Sequence, residues 1–558
     1  MELKNFFRKN ILYIVLFPLI LLAVYLPVVI TPFYCADLEY VAGAKGPIYN
    51  WKELGRYSLI LIKKIFATPY DIALEGVLFS LTAFVTFSAL SYLFLLLFKK
   101  AESSILFPVC VSALIFPTFV EQFYFKFQSF EVLFGIFLLI VSAIFFVEFV
   151  KKPKFYLFII SVLLNVISFG IYQSMLNIML VFYAGIFLML FLNEVDYSKL
   201  KVFFMMLLQF LASFLLNTLV TKIFCTKSSY FSDKIMWKTY PFDTCYHFVK
   251  HYFRVVLLAE SPVYTFSFAL SLILSFIAFV FMIIKVKTKA IPAIFGLLGL
   301  MVLPFAIAII QGFEPDSRTQ LALPFSIAFL FYFAYGVFAN NIVTNDDTEE
   351  SVQNNENNIP DGFQTVENND SENLINIEKN ISRKEKIFSK EFLSSLAVVL
   401  SVILLLLNII PSYRLAYSRY VINKFDTKHL TVIAEDLKNY NCNAKNNSSL
   451  PVFFIGNLPY EDTPFCLEYD KERKDYVLIS VFALDSDTIP TYFYSSNRIL
   501  SAMDVLGYDY TKPNSSRYLH TAKNTAIGLP AYPEEGYIEQ TDKYIVVNLG
   551  NYVSPFKK

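Results

Sequence analysis

Runs of about 20 apolar residues recur along this chain, and they limit its fold more than any other feature. Each is long enough to cross a hydrocarbon layer about 30 Å thick as an α-helix. Of 558 residues, 56% are hydrophobic and 18% aromatic, a balance that a soluble protein of this length could not cover with polar surface. The sequence therefore predicts an all-α polytopic membrane protein. Its formal net charge of +1 says little, because the positions of the charges matter more than their sum. Membrane lipid is an expected partner, and nucleic acid is not.

We read eleven spans, near residues 11–31, 75–98, 104–120, 129–150, 155–171, 173–192, 201–222, 263–284, 290–311, 321–340 and 391–411. The first is too long for the apolar core of a signal peptide and no small-x-small cleavage site follows it, so it reads as a retained helix. Short basic clusters then set an orientation. Lys4, Arg8 and Lys9, Lys99 and Lys100, Lys151, Lys152 and Lys154, Lys199 and Lys201, Lys285, Lys287 and Lys289, and Arg383, Lys384 and Lys386 all fall on one side if every span is real. By the positive-inside rule that side is the cytoplasm. The N-terminus is then cytoplasmic, and loop 32–74, the short 121–128, loop 223–262 and everything after about Arg414 lie outside. The expected location is a cytoplasmic membrane, crossed several times.

Composition divides the chain further. Residues 1–340 form a transmembrane module. Residues 341–390 are rich in Asn, Asp and Glu and read as a disordered cytoplasmic linker. A last span at 391–412 leads to a tail, 413–558, in which "HLTVIAEDLKNY" has helical periodicity while "PVFFIGNL", "DYVLISVFAL" and "KYIVVNLG" read as strands. That pattern predicts a C-terminal extracytoplasmic α/β domain. Cys225 and Cys245 share one outer loop, and Cys442 and Cys466 share the tail. Either pair could be a disulfide or could stay reduced.

The outer segments hold the candidate chemistry. From Trp51, the residues Trp51, Leu54, Ser58, Leu61, Ile62 and Ile65 recur at helical spacing, which predicts an amphipathic helix lying in the interface. Asp37 and Glu39 lie just past the first span, where an incompletely solvated carboxylate needs a partner. Two acids two residues apart diverge, so one of them suits a single site better than both do. Arg56, Lys126 and Arg318 lie among aromatic residues in outer segments and could receive a lipid phosphate. Glu121 sits in "VEQFYFKFQS", and "FGIYQSMLN" puts Tyr172, Gln173 and Asn177 at a helix end. The last three could bind sugar hydroxyls or tie helices together. An acid beside several cations and aromatics at the outer face suits group transfer from a lipid phosphate to an outside acceptor. The acid would deprotonate an acceptor hydroxyl as it attacks an anomeric carbon, while the cations stabilise the departing phosphate. No metal-ligand spacing is present. A divalent cation remains compatible with this chemistry, and the sequence names no cofactor.

Three segments in order, "YCADLEYVAGAKGPIYNWKELGRYS", "FPTFVEQFYFKFQSFEVLFGIFLLI" and "SFGIYQSMLNIMLVF", together with the tail opening "YSRYVINKFDTKHLTVIAEDL", carry a resemblance. They resemble the bacterial glucosyltransferase family that includes the type II O-antigen-modifying glucosyltransferases. The resemblance implies a GT-C-like membrane glycosyltransferase. Such an enzyme takes a hexose, typically glucose, from a polyprenyl-phosphate donor and attaches it to a surface glycan such as the O-antigen of lipopolysaccharide, usually with inversion. In the family pattern an acidic pair precedes an arginine. Here Asp37 matches the second acid, while Ala36 and Tyr40 replace the first acid and the arginine. Trp51, Gly55 and Arg56 match a later W…GR element, and Lys126 replaces the usual basic residue of the aromatic segment. A catalytic Asp37 or Glu39 is therefore expected, with Arg56, Lys126 and Arg318 on phosphate and Trp51, Glu121, Tyr172, Gln173 and Asn177 toward sugar or acceptor. The alternatives are a flippase or transporter of a lipid-linked glycan, a glycan polymerase or ligase, and a non-catalytic envelope-assembly protein.

Overall fold

The structure, a computed structural model, describes residues 3–33, 46–66, 72–98, 102–192, 198–225, 235–237, 241–261, 263–285, 290–312, 317–338, 369–446, 448–458, 480–482 and 489–552. Its helices follow the apolar runs. They are α1 (Leu3–Ile30), two short helices α2 (Gly46–Glu53) and α3 (Tyr57–Ile65), α4 (Ile72–Leu97), α5 (Ser103–Leu114), α6 (Pro117–Phe123) and α7 (Ser129–Lys151). Then come α8 (Phe155–Phe169), α9 (Met175–Leu192), α10 (Lys199–Phe224), α11 (Pro241–Lys250), α12 (Ser267–Lys285), α13 (Ala290–Val302), α14 (Ala306–Gln311) and α15 (Leu323–Phe338). The tail adds α16 (Asn369–Leu437), strand β1 (Val452–Ile455), α17 (Ile489–Val505), α18 (Leu519–Ile527), β2 (Ile538–Gln540) and β3 (Ile545–Asn548).

Among the described residues, eight helices are long and apolar enough to cross a membrane, or nine if α5 and α6, bent by 42°, count as one broken span. The chain is thus a mostly helical, multi-pass membrane protein. Two more of the expected segments, α8 and α15, are apolar but shorter. Each apolar run read from the sequence is helical over most of its described length.

Contacts between helix ends show how the bundle runs. Lys126, just before α7, donates from Nζ to Val29 O at 2.9 Å, near the end of α1. At the opposite end Ser103 Oγ, at the start of α5, donates to Asn10 Oδ1 at 2.9 Å. There too Lys151 Nζ, at the end of α7, donates to Leu96 O near the end of α4 at 3.2 Å. So α1 and the α5–α6 pair run one way and α4 and α7 the other. Small and polar residues set the close approaches. Ser142 of α7 and Ser161 of α8 exchange hydroxyl-to-carbonyl bonds, each 2.9 Å. Gln209 of α10 joins them through Ser161 Oγ. In apolar surroundings such bonds satisfy hydroxyls that water cannot reach.

Helix α16 is apolar only from Phe392 to Ile410; beyond Pro411 it carries Arg414, Arg419, Lys424, Asp426 and Lys428. Asn408 ties the apolar part to α5, donating to Ser112 Oγ at 2.8 Å. Of the expected disordered linker, residues 341–368 lie outside the described residues; from Asn369 the backbone is helical and continuous with the last apolar run. In the tail, β3 is the middle strand. It pairs parallel with β1 (Val452 opposite Ile545) and antiparallel with β2 (Ile538 opposite Val547). Two of the expected strands are present and β2 was not anticipated. In "DYVLISVFAL", Ser480–Phe482 form no strand; Ser480 and Val481 instead donate to Asp426, and the other residues lie outside the described ones. Cys225 and Cys245 are free thiols, so no bond joins them. Cys442 donates its thiol to Leu437 O at 3.3 Å, and Cys466 lies outside the described residues.

Candidate active site at one end of the bundle

The expected interfacial helix after Trp51 is two helices, and Gly55 separates them. Gly55 has φ +75°, a left-handed conformation that favours glycine. Around it Gly55 N–H donates to Lys52 O at 3.2 Å and Arg56 N–H to Trp51 O at 2.9 Å, the paired bonds that close a helix C-terminus. The chain restarts as α3 at Tyr57. Its first amides, from Ser58 and Leu59, donate to Gly170 O at 3.0 and 3.4 Å, which satisfies donors a helix N-terminus leaves open. The buried face is therefore Ser58, Leu59, Ile62 and Lys63, whereas Leu61 and Ile65 point outward.

This break puts Arg56 inside the protein. Arg56 is 7% exposed. Its Nη1 donates to Gln128 Oε1 at 2.6 Å, and its guanidinium lies 4.7 Å from the centre of the Tyr172 ring. The Nε–H has no acceptor. Gln173 donates from its side chain to Leu54 O, so the turn between α8 and α9 clasps the α2–α3 junction. Asn177 donates to Pro304 O at 3.0 Å and acts as a helix tie, with its Oδ1 buried and without a donor.

More cations gather beside this group. Lys126 is 2% exposed and its ammonium donates to the carbonyls of Val29 and Thr31, at the C-terminal end of α1 where carbonyls lack helix partners. Arg318 lies 4.7 Å over the Phe125 ring. Glu121 pairs with Arg419 of α16, whose Nη1 also donates to Val120 O at 2.9 Å and whose guanidinium stacks 4.1 Å over Tyr124. Asn423, one turn further along α16, donates to Phe33 O at 2.7 Å. Asp37 and Glu39 lie outside the described residues; the described chain leaves at Phe33, beside Asn423, and resumes at Gly46.

A second charged group sits one turn deeper. Lys63 Nζ lies 2.5 Å from Glu75 Oε1 and 2.8 Å from Glu131 Oε1, and all three side chains are at most 4% exposed. The same ammonium is 5.5 Å from the Trp51 ring. Trp51 itself is 2% exposed, and its indole N–H has no acceptor. Among the described residues, no three His, Cys, Asp or Glu side chains are placed to hold a metal ion.

A family model described as Glucosyl transferase GtrII matches residues 26–335. The chain belongs to the GtrII glucosyl transferase family. The match runs from α1 through most of α15 and covers the first three segments that carry the sequence resemblance, with the tail opening beyond it. No curated protein and no solved structure matches the chain. Membership implies glycosyltransferase activity, with a sugar donor and a glycan acceptor as partners.

For this GtrII-family chain, the expected site residues Trp51, Arg56, Glu121, Lys126, Tyr172, Gln173, Asn177 and Arg318 all belong to helix ends and turns at one end of the bundle. Arg56, Tyr172 and Gln173 meet directly around the α2–α3 junction. Sequence reading did not single out Gln128, Arg419, Asn423 or the Lys63–Glu75–Glu131 group. Glu75 and Glu131 left a trace: each is an acid in the first turn of a mainly apolar helix, where the helix dipole favours a negative charge. Arg419 left none, because 298 residues separate it from Glu121.

Proposed function

We propose that this protein is a membrane hexosyltransferase acting at the outer face of the bacterial cytoplasmic membrane. It moves glucose, with inversion, from a polyprenyl-phosphate donor to an envelope polysaccharide such as the O-antigen. The observation that carries this reading is the family match over residues 26–335, which contains both the loop after α1 and the Arg56 site.

In this reading an acid of the loop after α1 is the general base, with Asp37 first and Glu39 as the other candidate. It takes the proton of an acceptor hydroxyl as that oxygen bonds to the anomeric carbon. The bond from that carbon to the donor phosphate oxygen breaks, and the lipid phosphate departs with added negative charge. Arg56 is the principal receptor of that charge and Arg318 flanks it. Lys126 fixes the end of α1, and with it the place where the acidic loop begins. Trp51, Glu121, Tyr172 and Gln173 surround the sugar and the acceptor, and Asn177 holds α9 to the carbonyl of Pro304 beside them. Residues 1–340 are the transferase module and 413–558 an outer domain that helps receive the glycan. The flippase alternative gains little support from the buried charges, because Glu75 and Glu131 occupy first helical turns and not the middle of a span.

Membranes carrying the parent, Asp37→Asn or Glu39→Gln proteins are given radiolabelled polyprenyl-phosphate glucose and isolated envelope glycan. We expect transfer by the parent and a loss of about 10²–10⁴-fold in Asp37→Asn. Undiminished transfer in both variants would remove the acidic loop from the mechanism, and no transfer by the parent would reject the donor.

A further inference from the structure

Buried cations at this end of the bundle differ in what compensates them. Lys63 lies between two carboxylates, and Arg419 pairs with Glu121. Arg56 is comparably enclosed but makes no ion pair with a described carboxylate; its side-chain acceptor is the neutral amide of Gln128 at 2.6 Å. Taking a guanidinium out of water is costly unless a negative charge answers it. Here the amide fixes its direction and no carboxylate among the described residues answers the charge, and the buried Nε–H has no acceptor there. Gln128 is 3% exposed and precedes α7 directly, where its own N–H donates to Phe125 O at 3.1 Å. The Tyr172 ring backs the guanidinium plane.

Building on the glycosyltransferase reading above, we infer that Gln128 is a positioning residue whose neutrality keeps Arg56 available to the phosphate of the lipid-linked donor. A glutamate there would have nearly the same shape. It would close an ion pair with Arg56 and repel an incoming phosphate, so the site selects its ligand by what it withholds. Leucine would remove the hydrogen bond and leave the charge.

Full-length Gln128→Glu and Gln128→Leu proteins are assayed for transfer from polyprenyl-phosphate glucose, with donor KM and kcat measured separately. Gln128→Glu should raise the donor KM by at least about tenfold, which corresponds to about 1.4 kcal/mol, without changing acceptor KM. Gln128→Leu should raise it by a clearly smaller factor. An unchanged donor KM in Gln128→Glu, or equal effects of the two variants, overturns the inference. A second measurement needs neither variant nor turnover. Polyprenyl phosphate should raise the melting midpoint of the detergent-solubilised parent more than the matching polyprenol or the same concentration of inorganic phosphate. Equal shifts with polyprenol overturn the anion site, and equal shifts with inorganic phosphate overturn its assignment to a lipid phosphate. If phosphate-dependent stabilisation occurs in a parent that transfers no glucose, the functional reading fails while the anion site stands.

Discussion

At the scale of single residues, burial decides how much a charge matters. Lys63 answers two carboxylates at once, so Lys63→Met would leave Glu75 and Glu131 facing each other without a cation. We expect a loss of about 3–5 kcal/mol, read as a lower denaturation midpoint in detergent, against a much smaller loss for an exposed pair such as Lys438–Glu435. Asp426 gives a pH test. It lies past the apolar part of α16, buried against the tail, and accepts from Val481 N–H at 2.9 Å and from Ser480 Oγ. Burial raises its pKa to about 7, only partly offset by those two bonds and by Arg498. Because the folded value lies above the unfolded one, its contribution is fully present below about pH 4 and is lost as pH rises through about 7. The melting midpoint should therefore fall across that window, and Asp426→Asn should flatten the fall. An equally steep fall in the variant would assign the dependence to another group. The acids and bases of this chain were legible as letters. Their pairing was not, since Arg419 meets Glu121 and Arg56 meets Gln128 only through the packing of distant segments.

At the scale of elements, two glycines carry the geometry of the site. Gly55 ends α2 in a left-handed conformation, and Gly55→Ala should cost about 1–2 kcal/mol and lower transfer activity by displacing Arg56. Gly170 lies where α3 docks on α8. A Cβ there would clash with the Tyr57 ring and Ser58 Oγ, and Tyr57 is held by its bonds to Val166 O and Asn217 Oδ1 at 2.8 and 3.0 Å. Gly170→Ala should destabilise the fold by about 1–3 kcal/mol through overpacking, measured as the same midpoint shift. If both variants kept parental stability and activity, the α2–α3 junction would not be what holds Arg56. Apolar periodicity identified this region as helical and missed its division, because hydropathy does not record the one residue with φ above zero that ends the first helix. Gly55 was visible in the sequence, but its conformation was not.

At the scale of the whole molecule, the proposed orientation makes its own test. Single cysteines at Lys52 and Lys445, in a background without other cysteines, should react with a membrane-impermeant maleimide from outside, and one at Lys154 should react only after the membrane is opened. Labelling of Lys154 and Lys52 from the same side would reject the arrangement. Much of the architecture needed no coordinates. Apolar runs of membrane length have few ways to satisfy their backbone polar groups in lipid, and a helix is the one available to a single segment, so element type follows from composition. The tail strands Val452–Ile455 and Ile545–Asn548 were readable for a similar reason, being short β-branched and aromatic runs. Order along the chain and a short ordered set of motifs sufficed to indicate the family. Folding alone decided which charges meet, where a helix breaks and which face turns inward, because ion pairs and helix junctions depend on distances between segments remote in sequence, and hydropathy holds no record of those distances.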